Sequence, residues 1–222
     1  MDLNKSREFF DPKKVTAPCY IIGCGSIGSN VAELLARQGV ENMILWDMDI
    51  VESHNIANQL YTEKHVGQPK TEALKSILEE INPKLKHTLH LNTTPYKDEF
   101  LGGFVFMCVD NIKTRQAIID NNMRNRNIEV VFDFRTTLLE GQHYAAEWSN
   151  KKARESLRNS LNFTDEDADK NTPVSACGFE LSVSPVVRMT AIQGIVNFTN
   201  YINGKEMKHM ICEPYSFAYL AM

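Results

Sequence analysis

Residues 19–70 carry groups that could handle a nucleotide, in a fixed order: a glycine-rich turn, an acid ending a strand, a polar loop and a placed lysine. The run reads CYIIGCGSIGSNVAELLARQGVENMILWDMDIVESHNIANQLYTEKHVGQPK. Gly23-Cys24-Gly25-Ser26-Ile27-Gly28 spells G-x-G-x-x-G between an apolar run and an amphipathic one. Glycines there permit a tight turn and close backbone approach to phosphate, and a helix opening directly after them offers unpaired N–H groups and a positive dipole end. Asp47 ends the next expected strand, where a carboxylate accepts hydrogen bonds from ribose hydroxyls. Up to this point NAD and ATP fit equally well. Lys70 and, further on, Asp110 are not explained by hydride transfer. Lys70 follows Gly67-Gln68-Pro69 and is read as a placed lysine rather than a solvated helix-start lysine. Asp110 follows a continuous apolar run, at the carboxyl edge where such sheets bind ligands, and is read as a functional strand-end acid rather than a simple helix cap. Asn111 serves equally as cap or site residue, and Asp49 either joins the site or lines the loop.

The elements positioning these groups alternate strand and helix. Strands are expected at 20–22, 43–46, 104–109, 130–134 and 143–148, with an edge-like strand over Leu85, Leu89 and Leu91. Helices are expected at 29–38, stopped by Gly39, at 70–81, stopped by Pro83, at 112–125, and at 184–203, where Ser184 caps and Pro185 takes the first turn. The pattern implies an α/β, Rossmann-like fold: a mostly parallel sheet with helices on both faces, plus a C-terminal strand and helix extension. One domain is expected over residues 1–222. It comprises an N-terminal arm (1–18), a nucleotide-binding half (19–141) and a substrate-side half (142–222) containing a polar, mobile excursion with one short helix (149–173).

Composition narrows the function class. Twenty-four basic against 28 acidic residues give a net charge of −4, and the basic clusters are short, so nucleic-acid binding is not expected. Apolar runs are broken too often to span a bilayer, and the start MDLNKSREFF lacks a secretory core, so no membrane association and a cytoplasmic location are expected. Five scattered cysteines form no C-x-x-C pair, which fits free thiols and leaves no four-cysteine zinc site.

Four blocks, in order and at these spacings, resemble the ThiF/MoeB-type adenylyltransferases, a family that includes the ubiquitin-activating enzymes. They are Gly23 to Gly28; Asp47-Met48-Asp49 with Asn55; Gly67-Gln68-Pro69-Lys70; and Cys108-Val109-Asp110-Asn111. Ser184-Pro185-Val186-Val187 with Gln193 looks like the family's closing helix. The resemblance implies ATP-dependent activation of a carboxylate as acyl-AMP with release of pyrophosphate. It implies nucleotide contacts from Gly23, Gly25, Ser26, Ile27, Gly28, Asp47, Asp49, Asn55, Asn58, Gln59, Lys70, Asp110 and Asn111. Asp47 would hold the ribose, Lys70 the phosphates, and Asp110 a Mg²⁺ ion. The implied assembly is a homodimer, and the implied substrate is the C-terminus of a small ubiquitin-like or sulfur-carrier protein, or a peptide.

The chain departs from the family pattern in the loop Asn55-Ile56-Ala57-Asn58-Gln59, where Asn58 stands in place of an expected arginine. Losing one preorganised donor costs on the order of 100- to 1000-fold in rate. Arg7, Arg115 and Arg135 are the candidate replacements, with Arg7 reaching across a two-fold dimer as family N-terminal arms do. Cys177 lies roughly where some relatives place a reactive cysteine, although a small buried side chain is the better reading. The family's zinc motifs are absent, so no zinc is expected. A nucleotide-binding scaffold without turnover is the rival reading, and a dehydrogenase the third.

Overall fold

The computed structural model describes residues 1–169, 173–175 and 181–222. The eight strands form one sheet in the order β3-β2-β1-β4-β5-β6-β7-β8. Strands β1 (Cys19–Ile22), β2 (Met43–Trp46), β3 (His90–Asn92), β4 (Gly103–Met107) and β5 (Ile128–Thr136) run parallel. Strands β6 (Gly141–Glu147), β7 (Met210–Glu213) and β8 (Ala218–Ala221) extend the sheet antiparallel. The chain moves outward from β1 to β3, then returns to place β4 on the other side of β1. The carboxyl ends of β1 and β4 therefore flank the crevice where open α/β sheets bind ligands.

Alternation along the central strands divides two apolar layers. Ile21, Phe104, Phe106, Phe132 and Phe134 pack with helices α1 (Ser26–Gln38), α2 (Lys70–Ile81) and α7 (Ser184–Ile202). Ile22, Val105, Met107 and Val131 pack on the opposite face with α4 (Ile112–Asn122) and α5 (Lys151–Asn159). Strands buried on both faces read as continuous apolar runs, as β4 does. The arm before β1 packs onto its own chain: Asn203 Nδ2 donates to the Phe9 carbonyl at 2.9 Å.

Three local expectations are corrected. Leu85 and Leu89 do not lie on a strand; Leu85–Thr88 is a helical turn, α3, and the edge strand begins at His90. Their spacing of four puts both side chains on one face of a turn, where both are buried. Ser184 does not cap α7: the cap position is Val183, without a side-chain hydrogen bond, and Ser184 and Pro185 open the first turn. The excursion after β6 holds two helices, α5 and the short α6 (Asp165–Asp169), rather than one. Asn150 caps α5 through Lys152 and Ala153, and Leu157 and Leu161 are buried against the sheet. A sequence so polar gave little sign that two leucines four residues apart would anchor it.

Candidate nucleotide site

The glycine turn leaves β1 and abuts the loop leaving β4. Gly23 has φ of 92°, and a Cβ there would lie 2.7 Å from the Cys108 carbonyl. At Gly28 an added Cβ would come within 1.8 Å of the Gly23 oxygen. The turn and helix α1 can therefore approach only because these positions lack side chains. Gly25 occupies the cap position of α1, with no side-chain hydrogen bond, and a Cβ on it would meet open space. Ser26 and Ile27 form the first turn of α1. Its N-terminus is thus free of an internal cap, an arrangement suited to phosphate.

Asp47 shapes this turn. One carboxylate oxygen accepts from the Cys24 N–H at 2.6 Å and the other from the Asp49 N–H at 2.8 Å. Burial pushes the Asp47 carboxyl above its ordinary range, opposed by those two amides and by Lys70. Lys70 is the first residue of α2, and its Nζ donates to Asp49 Oδ2 at 2.9 Å. Only 10% of the Lys70 side chain is exposed. Burial alone would lower its pKa, but Asp47, Asp49 and Asp110 together outweigh this and raise it. The crevice therefore holds one buried ammonium facing carboxylates from the ends of β2 and β4. Asp110 itself is exposed.

Sequence reasoning missed Tyr61. Its buried hydroxyl lies 2.7 Å from the Cys24 carbonyl and 3.2 Å from the Lys70 carbonyl, tying the glycine turn to the start of α2. A buried tyrosine hydroxyl needs a partner, but nothing local names it. Cys24 sits beneath the same turn, where burial pushes its thiol pKa well up, so it serves as a small side chain.

The polar loop folds as a 3-10 turn, Ser53–Ala57. Asn55 is buried and accepts from the Glu52 N–H at 2.9 Å, so one of its groups braces the loop. Asn58 is half-buried at the end of this turn, and the neighbouring Gln59 carries a buried Oε1 without a partner. Asn111 caps α4, accepting from the Thr114 N–H at 2.8 Å.

The candidate replacement cations separate sharply. Arg115 Nη1 lies 2.5 Å from Asp133 Oδ1, and Arg135 Nε lies 2.7 Å from Asp133 Oδ2. Both guanidiniums are thus committed to one fully buried carboxylate, and Arg135 also donates to the carbonyl and hydroxyl of Ser160. In this arrangement neither is free to stand in for the arginine missing at Asn58. Arg7 is 54% exposed and approaches Asp11 only at 4.0 Å. Cys177 lies outside the described residues. Among the described residues no group of three His, Cys, Asp or Glu side chains converges as a metal site, and no helix is long and apolar enough to cross a membrane.

Residues 13–221 match the ThiF family. This chain belongs to the ThiF family. Within it, the chain is 33% identical over 113 residues to ubiquitin-like modifier-activating enzyme 5 of Caenorhabditis briggsae, covering 44% of this chain and 26% of that protein. It is 34% identical over 114 residues to the same enzyme of Aedes aegypti, covering 44% and 29%. It therefore spans under a third of these relatives. The fold matches E. coli MccB, solved with MccA-N7isoASN, at a TM-score of 0.71 and 16% identity over 95% of this chain and 66% of MccB. A structure of MccB with ATP matches at 0.69 and 18% identity, covering 95% and 65%. PaaA matches at 0.70 and 17% identity, covering 95% and 74%.

Proposed function

We propose that this ThiF-family chain is an ATP-dependent adenylyltransferase that activates the terminal carboxylate of a ubiquitin-like or sulfur-carrier protein or a peptide. The observation that carries the reading is the ammonium of Lys70, buried at the start of α2 with its Nζ on Asp49 Oδ2 at 2.9 Å and within the field of Asp47 and Asp110. A dehydrogenase has no use for that cluster; phosphoryl chemistry does. Two similar proteins point the same way, one named as a ubiquitin-like modifier-activating enzyme and one solved with ATP.

In this reading the uncapped N-terminus of α1 and the backbone of Gly23–Gly28 take the phosphates. Asp47 keeps free lone pairs for ribose hydroxyls after its two amide bonds. Lys70 moves from Asp49 to the α-phosphate and the leaving group, and stabilises charge as it develops there. A carboxylate oxygen of the substrate attacks the α-phosphorus, the bond to the bridging oxygen breaks, and pyrophosphate leaves with that electron pair. Asp110 and Asp49 would offer Mg²⁺ the hard carboxylate oxygens it takes. Bound there, Mg²⁺ would neutralise phosphate charge. Arg7 of a second copy supplies the cation absent at Asn58.

The test is carboxylate-dependent release of AMP and pyrophosphate from ATP, using peptides ending in a free carboxylate. Mixing Arg7→Ala with Lys70→Ala subunits should restore one working site per heterodimer; absence of rescue rejects the role in trans. The second reading, a nucleotide-binding scaffold, is favoured by Asn58 and by the commitment of Arg115 and Arg135 to Asp133. It predicts ATP binding without pyrophosphate release.

A further inference from the structure

Residues 158–165 leave α5 and run back along α4 toward the candidate site, held at points one helical turn apart. Arg158 Nε lies 2.5 Å from Asp120 Oδ1 and its Nη2 3.0 Å from Oδ2. Gln116 Nε2 donates to the Leu161 carbonyl at 2.7 Å. The Ile112 N–H donates to Asp165 Oδ1 at 2.6 Å, and Asn111 Nδ2 to Asp165 Oδ2 at 3.3 Å. Positions 112, 116 and 120 share one face of α4, so the contacts form a line ending at the helix N-terminus.

The two ends of this strap differ in strength. Leu161 is fully buried, and Arg135 holds the Ser160 carbonyl and hydroxyl at 3.0 and 2.7 Å. The far end is a half-buried carboxylate on an exposed asparagine and one backbone amide. Phe163 packs on the apolar layer beneath Arg135 and belongs to the anchor. Local opening begins where few buried contacts hold the chain, so 164–165 can release without loss of the anchor.

The far end also sits at a charged corner. Asn111 and Ile112 directly follow Asp110, whose field reaches Lys70, and the same loop abuts Gly23 at Cys108. The N-terminus of α4 favours anions, and there it holds the chain's own carboxylate, followed in sequence by Glu166 and Asp167. While Asp165 is in place it accepts an Asn111 amide hydrogen and sets its negative charge at the N-terminus of α4, two residues past Asp110.

We propose that Asp165 is an autoinhibitory latch: it closes the strap on the N-terminus of α4, and binding of a nucleoside triphosphate expels it. Resting on the proposed nucleotide site, the latch weakens binding by the reciprocal of the fraction of molecules that are open. If about a tenth to a fifth are open, unlatching tightens binding about 5- to 10-fold.

The experiment is calorimetric titration of Mg²⁺-ATP into wild type, Asp165→Ala and Glu166→Ala, with hydrogen exchange of 157–165 before and after ATP. Asn111 still caps Thr114 in Asp165→Ala, so α4 keeps its own cap. The expected result is tightening of about 5-fold or more in Asp165→Ala and under about 2-fold in Glu166→Ala. Exchange at 164–165 should rise on ATP binding to wild type while 157–163 stays protected. Equal tightening in both variants shows general charge repulsion and overturns the latch. Unchanged or weaker binding in Asp165→Ala also overturns it, leaving the nucleotide site intact. Binding to Asp165→Ala but not to wild type establishes the latch in its strongest form. Absence of binding in every variant removes the site and the latch together.

Discussion

Lys70→Met keeps the length and apolar stem of the side chain and removes its charge. In the native protein the ammonium faces Asp47, Asp49 and Asp110, which together hold its pKa above the ordinary lysine value despite burial. A group whose folded pKa is raised contributes stability below its unfolded pKa and loses that contribution as pH rises through the folded value. Charged Lys70 therefore stabilises the fold throughout the neutral range, provided its carboxylate partners are ionised. A hydrogen bond to a charged group is worth about 1.5–3 kcal/mol net. Asp49 is 56% exposed, so solvent screening places this pair at the low end. The expected loss at pH 8 is about 1–2 kcal/mol, and it shrinks toward pH 4 as Asp47, raised by burial, takes up its proton. Urea unfolding of wild type and Lys70→Met at both pH values measures the difference. An equal loss at the two pH values would assign the effect to packing, and a larger loss in acid would refute the electrostatic argument outright.

Gly28→Ala forces a Cβ to within 1.8 Å of the Gly23 oxygen and should cost at least about 2 kcal/mol in urea unfolding. Gly25→Ala meets nothing within 4 Å, so it should cost under about 1 kcal/mol while weakening Mg²⁺-ATP binding, since its methyl group stands over the free end of α1. Asp133→Asn removes the carboxylate shared by Arg115 and Arg135 and leaves two guanidiniums short of a counter-charge. Breaking a buried pair in this way costs about 3–5 kcal/mol, so a denaturation midpoint close to wild type would show that the ion triad is not structural.

What the sequence discloses about this protein follows the range of each interaction. The glycine turn was legible because its requirement is local: a strand, a turn with no room for side chains, and a helix. That Lys70 opens a helix and Asp110 follows a buried strand was legible from the order of expected elements. The pairing of Lys70 with Asp49 was not, because it depends on how the loop after β2 folds back onto the start of α2. Tyr61 reaches Cys24 and Lys70 across a distance no pattern encodes. Arg115 and Arg135 appeared as spare cations in the sequence, since only the packing of α4 on β5 brings both to Asp133. The strap along α4 hid in a polar stretch whose anchors are two leucines and a serine.

The central claim is tested most directly by thermal unfolding of wild type and Lys70→Ala with Mg²⁺-ATP or with NAD. A ligand at 100 times its dissociation constant stabilises the folded state by about 2.7 kcal/mol. The account predicts that ATP raises the wild-type midpoint, that NAD does not, and that Lys70→Ala abolishes the ATP effect. Stabilisation by NAD without ATP would contradict it and return the glycine turn to a dehydrogenase.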